Sequence, residues 1–319
     1  MSRTISWGLI GCGDISEKRV APALRDSPIC DLVGVNRASY EKAEPFARRF
    51  GAKRSYRTWE ELVADEEIEA VYVSTPVYLH APMTIAAAEA GKHVLCEKPM
   101  ALTVAECDQM IDSCHSNQVR LGIAYYRHFY PCIHRVKQIL KSGEIGKPVS
   151  VHVRCFGFFN PEPDDPRFWF VRRELAGGGP WFDVGCHRLE VLIDLFGQVE
   201  TIQGVAGNVL FERDVEDTAA AILRFKDGPQ AILTVTHAAL EEQDTLSVFA
   251  SAGSIHIPEL NRGEMSILTA EGERVELHPP STNLHLPLIE DFAEAVVQER
   301  EPGVTGAIGR EVNRLLLSL

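Results

Sequence analysis

Ile5-Ser6-Trp7-Gly8-Leu9-Ile10, followed by Gly11-Cys12-Gly13-Asp14-Ile15-Ser16, is the stretch that decides the fold. The first six residues have the apolar density of a buried strand, and a helical stretch over about 17–25 follows the glycines. Strand, G-x-G-x-x-small, helix is the order in which a dinucleotide is bound. Gly11 permits the tight turn, Gly13 lets the backbone approach a pyrophosphate, and the small Ser16 lets the helix pack on the strand. The helix N-terminus then faces the negative charge, which makes Gly11, Gly13, Asp14 and Ile15 the cofactor contacts of this turn.

The next strand, residues 31–36, ends in Asn36-Arg37, where such a fold places an acid for the adenosine ribose. A carboxylate repels a 2′-phosphate and a guanidinium grips it in a forked, charge-assisted contact, so the pair favours NADP(H), with NAD(H) the alternative. A helix over 40–50 follows, with Ser39 placed to cap it, and the T-x-x-E spacing of Thr58 and Glu61 marks another helix start. Strand 70–74 runs into Thr75-Pro76, with His80 at the start of the following helix. Ligands of open parallel sheets bind beyond the carboxyl ends of the strands, so Thr75, Pro76 and His80 are candidate cofactor contacts. His80 equally suits a satisfied helix-end histidine.

A helix over 82–90 stops at Gly91, and strand 92–96 leads into Glu97-Lys98-Pro99. On its own residues Lys98 reads as an ordinary surface lysine in a strand-to-loop turn. A helix over 104–117 and strand 119–124 close the unit near residue 122, and the strand–helix alternation implies a parallel sheet covered on both faces.

The rest of the chain has a different rhythm. A helix over 133–142 opens onto strand 149–156, and runs 216–225, 230–235 and 245–250, separated by turns, predict a mostly antiparallel sheet. The segment Arg167 to Arg173 offers aromatics and arginines to close over a polyhydroxy substrate, or to form a packed loop; Trp169 and Arg172 are its candidate contacts, with Arg127 after the sixth strand. Gly177-Gly178-Gly179-Pro180 opens a helix over 181–196, on which Asp183 and His187 stand four residues apart on one face. By itself such a pair is an ordinary helix-stabilising contact. Cys186, His187 and Glu190 have poor geometry for a metal and no second ligand cluster, so no metal is expected.

With 319 residues, 45% hydrophobic content and a net charge of −13, the chain has the core of a two-domain globular protein and repels phosphate backbones and anionic lipid, so nucleic acid and membrane are not expected partners. The eight cysteines are scattered without pairs, and Met1-Ser2-Arg3 runs directly into the first strand without a secretory leader. A reduced cytoplasmic protein is expected.

Together, the glycine turn, the Thr75-Pro76 strand end, Gly91-Lys92-His93 and Cys96-Glu97-Lys98-Pro99 resemble the glucose-fructose oxidoreductase / inositol dehydrogenase / MocA (Gfo/Idh/MocA) family, almost end to end. The segment Tyr125-Tyr126-Arg127-His128-Phe129-Tyr130-Pro131 departs from that family's frequent Asn-Arg-Arg-Phe pattern. The resemblance implies an α/β architecture: an N-terminal Rossmann dinucleotide-binding domain, residues 1–122, and a C-terminal α+β domain, residues 123–319, with a large, mostly antiparallel sheet. It implies that the second domain binds substrate and associates through the outer sheet face, as a homodimer or homotetramer. It makes Lys98, Asp183 and His187 the catalytic trio, adds Glu97 and Lys98 to the cofactor contacts, and implies hydride transfer between NAD(P)(H) and the CH–OH or C=O group of a sugar, polyol or related small carbonyl compound. Two alternatives stay open at this point: a glycosidase acting by transient oxidation, and a non-enzymatic cofactor sensor.

Overall fold

The computed structural model describes residues 3–319, so Met1 and Ser2, where no leader is expected from the sequence, lie outside the described residues. Strand β1 (Ile5–Ile10) pairs with β2 (Cys30–Asn36) on one side and β4 (Ala70–Val73) on the other. With β3 (Arg54–Tyr56), β5 (His93–Cys96) and β6 (Leu121–Ile123) they form a six-stranded sheet, order β3-β2-β1-β4-β5-β6, in which every pairing is parallel. Trp7, Leu9, Val33, Val35, Val71, Tyr72, Val94 and Leu95 are all fully buried, the continuous burial of parallel strands covered on both faces. Strand order reverses between β1 and β4, and ligands of such sheets bind outside the carboxyl ends at that point.

The helix after β1 is not uniform. Residues Ser16–Val20 wind as a π-helix before the α-helix Ala21–Asp26. Pro22 has no N–H to bond the carbonyl four residues back, and the wider turn absorbs the lost hydrogen bond. Ser39 stands at the N-cap of the helix Tyr40–Phe50 but makes no side-chain capping bond, contrary to expectation; its carbonyl instead accepts from Lys42 N. Thr58 and Glu61 do form the expected capping box, at 3.2 and 3.4 Å.

The chain divides into two compact units. The first comprises the residues up to Tyr126 together with Ser281–Asn313, and the second comprises Arg127–Pro280 and Arg314–Leu319. This differs from the expected division at residue 122 into two contiguous domains. The cause is the helix Leu286–Val297, whose Leu288, Ile289, Phe292 and Val296 are buried, with the Phe292 ring 5.6 Å from Trp7. Ile123 N bonds Val304 O at 3.1 Å, and Asn313 Nδ2 donates to Ala101 O at 2.6 Å, fastening the same segment along its length.

The second unit holds β7 (Pro148–Phe158), β8 (Val199–Gly207), β9 (Thr218–Phe225), β10 (Gln230–Thr236), β11 (Ala238–Ala250), β12 (Gly253–Ile257), β13 (Glu264–Thr269) and β14 (Gly272–Leu277). They form one sheet, order β14-β13-β12-β11-β7-β10-β9-β8, antiparallel except for β10 beside β7. Side chains alternate between its faces. Val151, Val153, Leu233, Val235, Leu246 and Val248 point into the core, while Ile222, Ile232 and Phe249 are exposed on the other face. Among the described residues no helix is long and apolar enough to cross a membrane.

Candidate functional site

At the end of β1 the chain turns sharply. Gly11 N donates to Asn36 O at 3.0 Å, φ at Gly11 is +90°, and a Cβ there would lie 2.2 Å from Ser74 O. Both the dihedral and the contact demand glycine. A Cβ on Gly13 would meet nothing within 4 Å, so the outer side of the turn is open to a ligand. Ser16 Oγ donates to Gly11 O at 2.6 Å and shares a hydrogen bond with Ser74 Oγ at 2.9 Å, tying the turn to the end of β4. Asp14 is exposed in an ion pair with Lys18, and Ile15 is half-buried. A closed inner side and an open outer side fit the pyrophosphate of a dinucleotide.

Arg37 and Asn36 part company. Burial pushes the Cys12 thiol up to about 12, and the Arg37 charge pulls it the other way, so the guanidinium lies within electrostatic reach of the glycine turn. The Asn36 side chain is buried and donates from Nδ2 to Tyr56 O at 3.2 Å. Its amide nitrogen is thus engaged by β3. Thr75 and Pro76 are half-buried just beyond β4. His80 is corrected: it is fully buried, with Nδ1 2.9 Å from Pro99 O and Nε2 2.9 Å from Thr75 O. It braces the two strand-end loops against each other and presents no surface to a ligand.

Lys98 stands half-buried just past the carboxyl end of β5, with a cis peptide to Pro99. Its backbone N–H bonds Glu97 Oε2 at 3.1 Å. Glu97 is buried, takes the Tyr72 hydroxyl hydrogen at 2.8 Å on Oε1, and has His285 Nε2 3.4 Å from the same oxygen. Burial opposes its charge, yet His285, Lys98 and Tyr72 together hold its pKa below the usual carboxylate range. Glu97 is therefore an internal anion beside Lys98. His285, stacked on Tyr126 with ring centroids 4.7 Å apart, is a participant that the sequence did not reveal. It arrives on the returning segment, and nothing near it in the chain marks it.

In the second unit, the helix opened by the glycine run begins as a π-helix, Trp181–Gly185, and continues as an α-helix, Cys186–Phe196. Its first amides are capped from afar, since Glu216 Oε1 accepts from Gly179 N at 2.9 Å and Trp181 N at 3.0 Å. A carboxylate is favourable at that end of the helix dipole. A Cβ on Gly179 would lie 1.9 Å from Glu216 O, which is why glycine stands there. Asp183 is half-buried and His187 is buried. Nε2 of His237, a buried residue between β10 and β11, lies 3.6 Å from Asp183 Oδ2. Sequence spacing could not have paired these residues.

The same helix is pinned further along. Arg188, almost wholly buried, bonds the Asp244 carboxylate, and the buried Glu190 lies 2.8 Å from His128 Nδ1. Burial raises the Glu190 pKa, while hydrogen bonding from His128 opposes the rise. Arg127 is buried with Nη2 3.5 Å from Asp244 Oδ2. There it faces an internal carboxylate, in addition to the substrate contact expected of it. Trp169 is half-buried and stacked on Phe170, centroids 3.9 Å apart, and the Arg172 guanidinium rests on Glu174 at 2.6 Å. Phe170 lies edge-on to Phe159, and Phe159 edge-on to His237, so an aromatic row leads from Trp169 to the histidine beside Asp183.

A dinucleotide turn on a parallel sheet, joined in one chain to a second unit with this sheet and helix, defines an oxidoreductase class. The chain belongs to the Gfo/Idh/MocA family: residues 5–125 match the oxidoreductase family with an NAD-binding Rossmann fold, and residues 133–256 match the GFO/IDH/MocA C-terminal domain. It is 30% identical to 1,5-anhydro-D-fructose reductase of Ensifer adhaerens over 95% of this chain and 91% of that protein. It is 28% identical to the NADP(+)-dependent D-xylose 1-dehydrogenase of Haloarcula marismortui, over 96% of this chain and 87% of that one. The solved structure of levoglucosan dehydrogenase with NADH and levoglucosan matches with a TM-score of 0.89 at 25% identity, covering 99% of this chain and 96% of that chain.

Proposed function

We propose that this oxidoreductase interconverts a CH–OH and a C=O group of a sugar, polyol or related small carbonyl compound, with NADP(H) preferred over NAD(H). The observation that carries the reading is the place of Lys98: it stands just past β5, in the sheet whose β1 carries the Gly11 turn, and is backed by the buried Glu97 anion. Gly11, Gly13 and the first amides of the following helix would hold the cofactor's pyrophosphate, and Arg37 its 2′-phosphate. When bound, the nicotinamide supplies or takes the hydride. The remaining task falls to side chains. Lys98 hydrogen-bonds the reacting oxygen and stabilises negative charge developing on it. His187 exchanges the proton, because an imidazole titrates near neutral pH, and Asp183 orients it. The first unit binds cofactor, and the second recognises substrate. The aromatic row of Trp169, Phe170 and Phe159 supports a substrate with apolar C–H faces.

The exposed Ile222, Ile232 and Phe249 on the open sheet face support association of copies through that face, as a dimer or tetramer. Free thiols at all eight cysteines support a reduced, cytoplasmic setting. The deciding experiment is a turnover screen with NADP(H) and NAD(H) over sugars, inositols, sugar lactones, dicarbonyls and diols. Coenzyme-linked turnover of one of these classes supports the reading; coenzyme binding with no turnover of any of them counts against it.

A further inference from the structure

Asp183 has a second histidine beside it, and the neighbours of that histidine define its state. His237 Nδ1 lies 3.4 Å from Arg213 Nη2. A guanidinium has only donors, so Nδ1 is the accepting, unprotonated nitrogen, and the single proton of the ring sits on Nε2. Nε2 is the nitrogen 3.6 Å from Asp183 Oδ2, a contact slightly too long for a hydrogen bond but within reach of the N–H dipole. The residue is fixed on other sides as well. His237 N donates to Asp217 O at 2.8 Å, Phe159 N donates to His237 O at 2.9 Å, and the Phe159 ring lies edge-on at 5.2 Å.

Arg213 is itself held, donating from Nη1 to Phe159 O at 2.9 Å and from Nη2 to Glu216 O at 2.7 Å. The charged groups around His237 are thus Asp183, Arg213, Glu216 and Asp217. Glu216 turns its carboxylate to the amides of Gly179 and Trp181, and Asp217 turns its own to those of Val209, Leu210 and Phe211. Asp183 is the one of the three whose carboxylate lies against His237 Nε2.

We infer that His237 is a positioning residue: locked by Arg213 as the neutral Nε2–H tautomer, it aims that N–H at Asp183 and fixes the carboxylate that orients His187. The inference rests on the proposed roles of Asp183 and His187. Neither His237 nor Arg213 touches substrate in this scheme.

The test uses the full chain and the substrate found in the turnover screen. His237→Leu is expected to lower kcat by up to about 10-fold, because the N–H dipole acts on Asp183 from just beyond hydrogen-bond distance. KM and coenzyme affinity stay near wild type, and the low-pH limb of the kcat/KM profile moves upward, because an Asp183 relieved of its donor attracts the His187 proton more strongly. His237→Gln, whose amide can donate in the same direction, restores most of the loss. Nitrogen NMR of the histidine-labelled protein reads the tautomer without reference to activity, and His237 is expected as neutral Nε2–H even if the leucine variant fails to fold. A neutral Nδ1–H ring, an unmoved pH profile in His237→Leu, or equal damage in the leucine and glutamine variants overturns the inference. Losses in Lys98→Met and His187→Ala alongside a normal His237→Leu overturn it alone. Wild-type turnover in Lys98→Met and His187→Ala removes the catalytic reading beneath it as well.

Discussion

Tyr72 gives its phenolic hydrogen to Glu97 Oε1 at 2.8 Å, from β4 to the end of its neighbour β5, with both residues buried. A buried carboxylate that loses a donor keeps its desolvation cost, so Tyr72→Phe is expected to destabilise the chain by about 1–3 kcal/mol. The pH sign follows from the depressed Glu97 pKa. A group whose folded pKa lies below its unfolded value adds stability above the unfolded value, and loses that contribution as pH falls through the folded one. Glu97→Gln should therefore flatten the acid side of the stability curve. Urea unfolding near neutral pH and in the carboxylate range compares the two, and an unchanged acid slope in Glu97→Gln would count against an ionised Glu97.

Lys98→Met and His187→Ala are each expected to lower turnover by about 10²- to 10⁴-fold, the usual share of a positioned oxyanion-stabilising or proton-exchanging group. Coenzyme affinity, read by fluorescence titration, should survive in both. His187 is buried, so its alanine variant must first be matched to wild type by thermal midpoint.

Arg37→Ala is expected to weaken NADPH binding about 10-fold or more, the value of a charge-assisted contact to phosphate, and to leave NADH almost untouched. Equal weakening of both coenzymes would mean that Arg37 supports the glycine turn through its charge near Cys12 and does not read a 2′-phosphate.

Gly179→Ala forces a methyl group against Glu216 O and displaces the residue that caps the helix carrying Asp183 and His187. The cost expected is about 1–3 kcal/mol or more. Glu216→Gln keeps the shape, weakens only the charge at the helix end, and should cost about 1 kcal/mol or less. Denaturant midpoints of the two variants give the order, and an alanine variant as stable as wild type would show that the loop yields freely.

What could be read from the sequence tracks how local each cause is. Ile5–Ile10 and Tyr40–Phe50 were legible to the residue, because apolar runs and helical spacing lie within a few positions of one another. The Gly11 turn was legible because its shape excludes other residues. The strands β3, β8, β12, β13 and β14 were not read as strands; β3, β8 and β14 are edge strands, while β12 and β13 lie inside the second sheet. Edge strands bury little and carry charge or glycine, as in Gly272–Leu277, so they look like loops. In the site, the D-x-x-x-H spacing could be seen, whereas Glu216, His237 and His285 could not. Each of those meets its partner through topology, tens or hundreds of positions away along the chain.

The return of Ser281–Asn313 to the first unit sets an order of events during synthesis. Phe292, whose ring lies against Trp7, leaves the ribosome long after it. The nascent dinucleotide sheet must wait with one flank uncovered while the whole of the eight-stranded sheet is made. A chain stopped near residue 126 should therefore emerge sticky and chaperone-dependent rather than as a small coenzyme-binding protein. Chemistry and assembly are thereby coupled, since His285, which lies beside the Glu97 carboxylate, is made only after the last strand of the eight-stranded sheet.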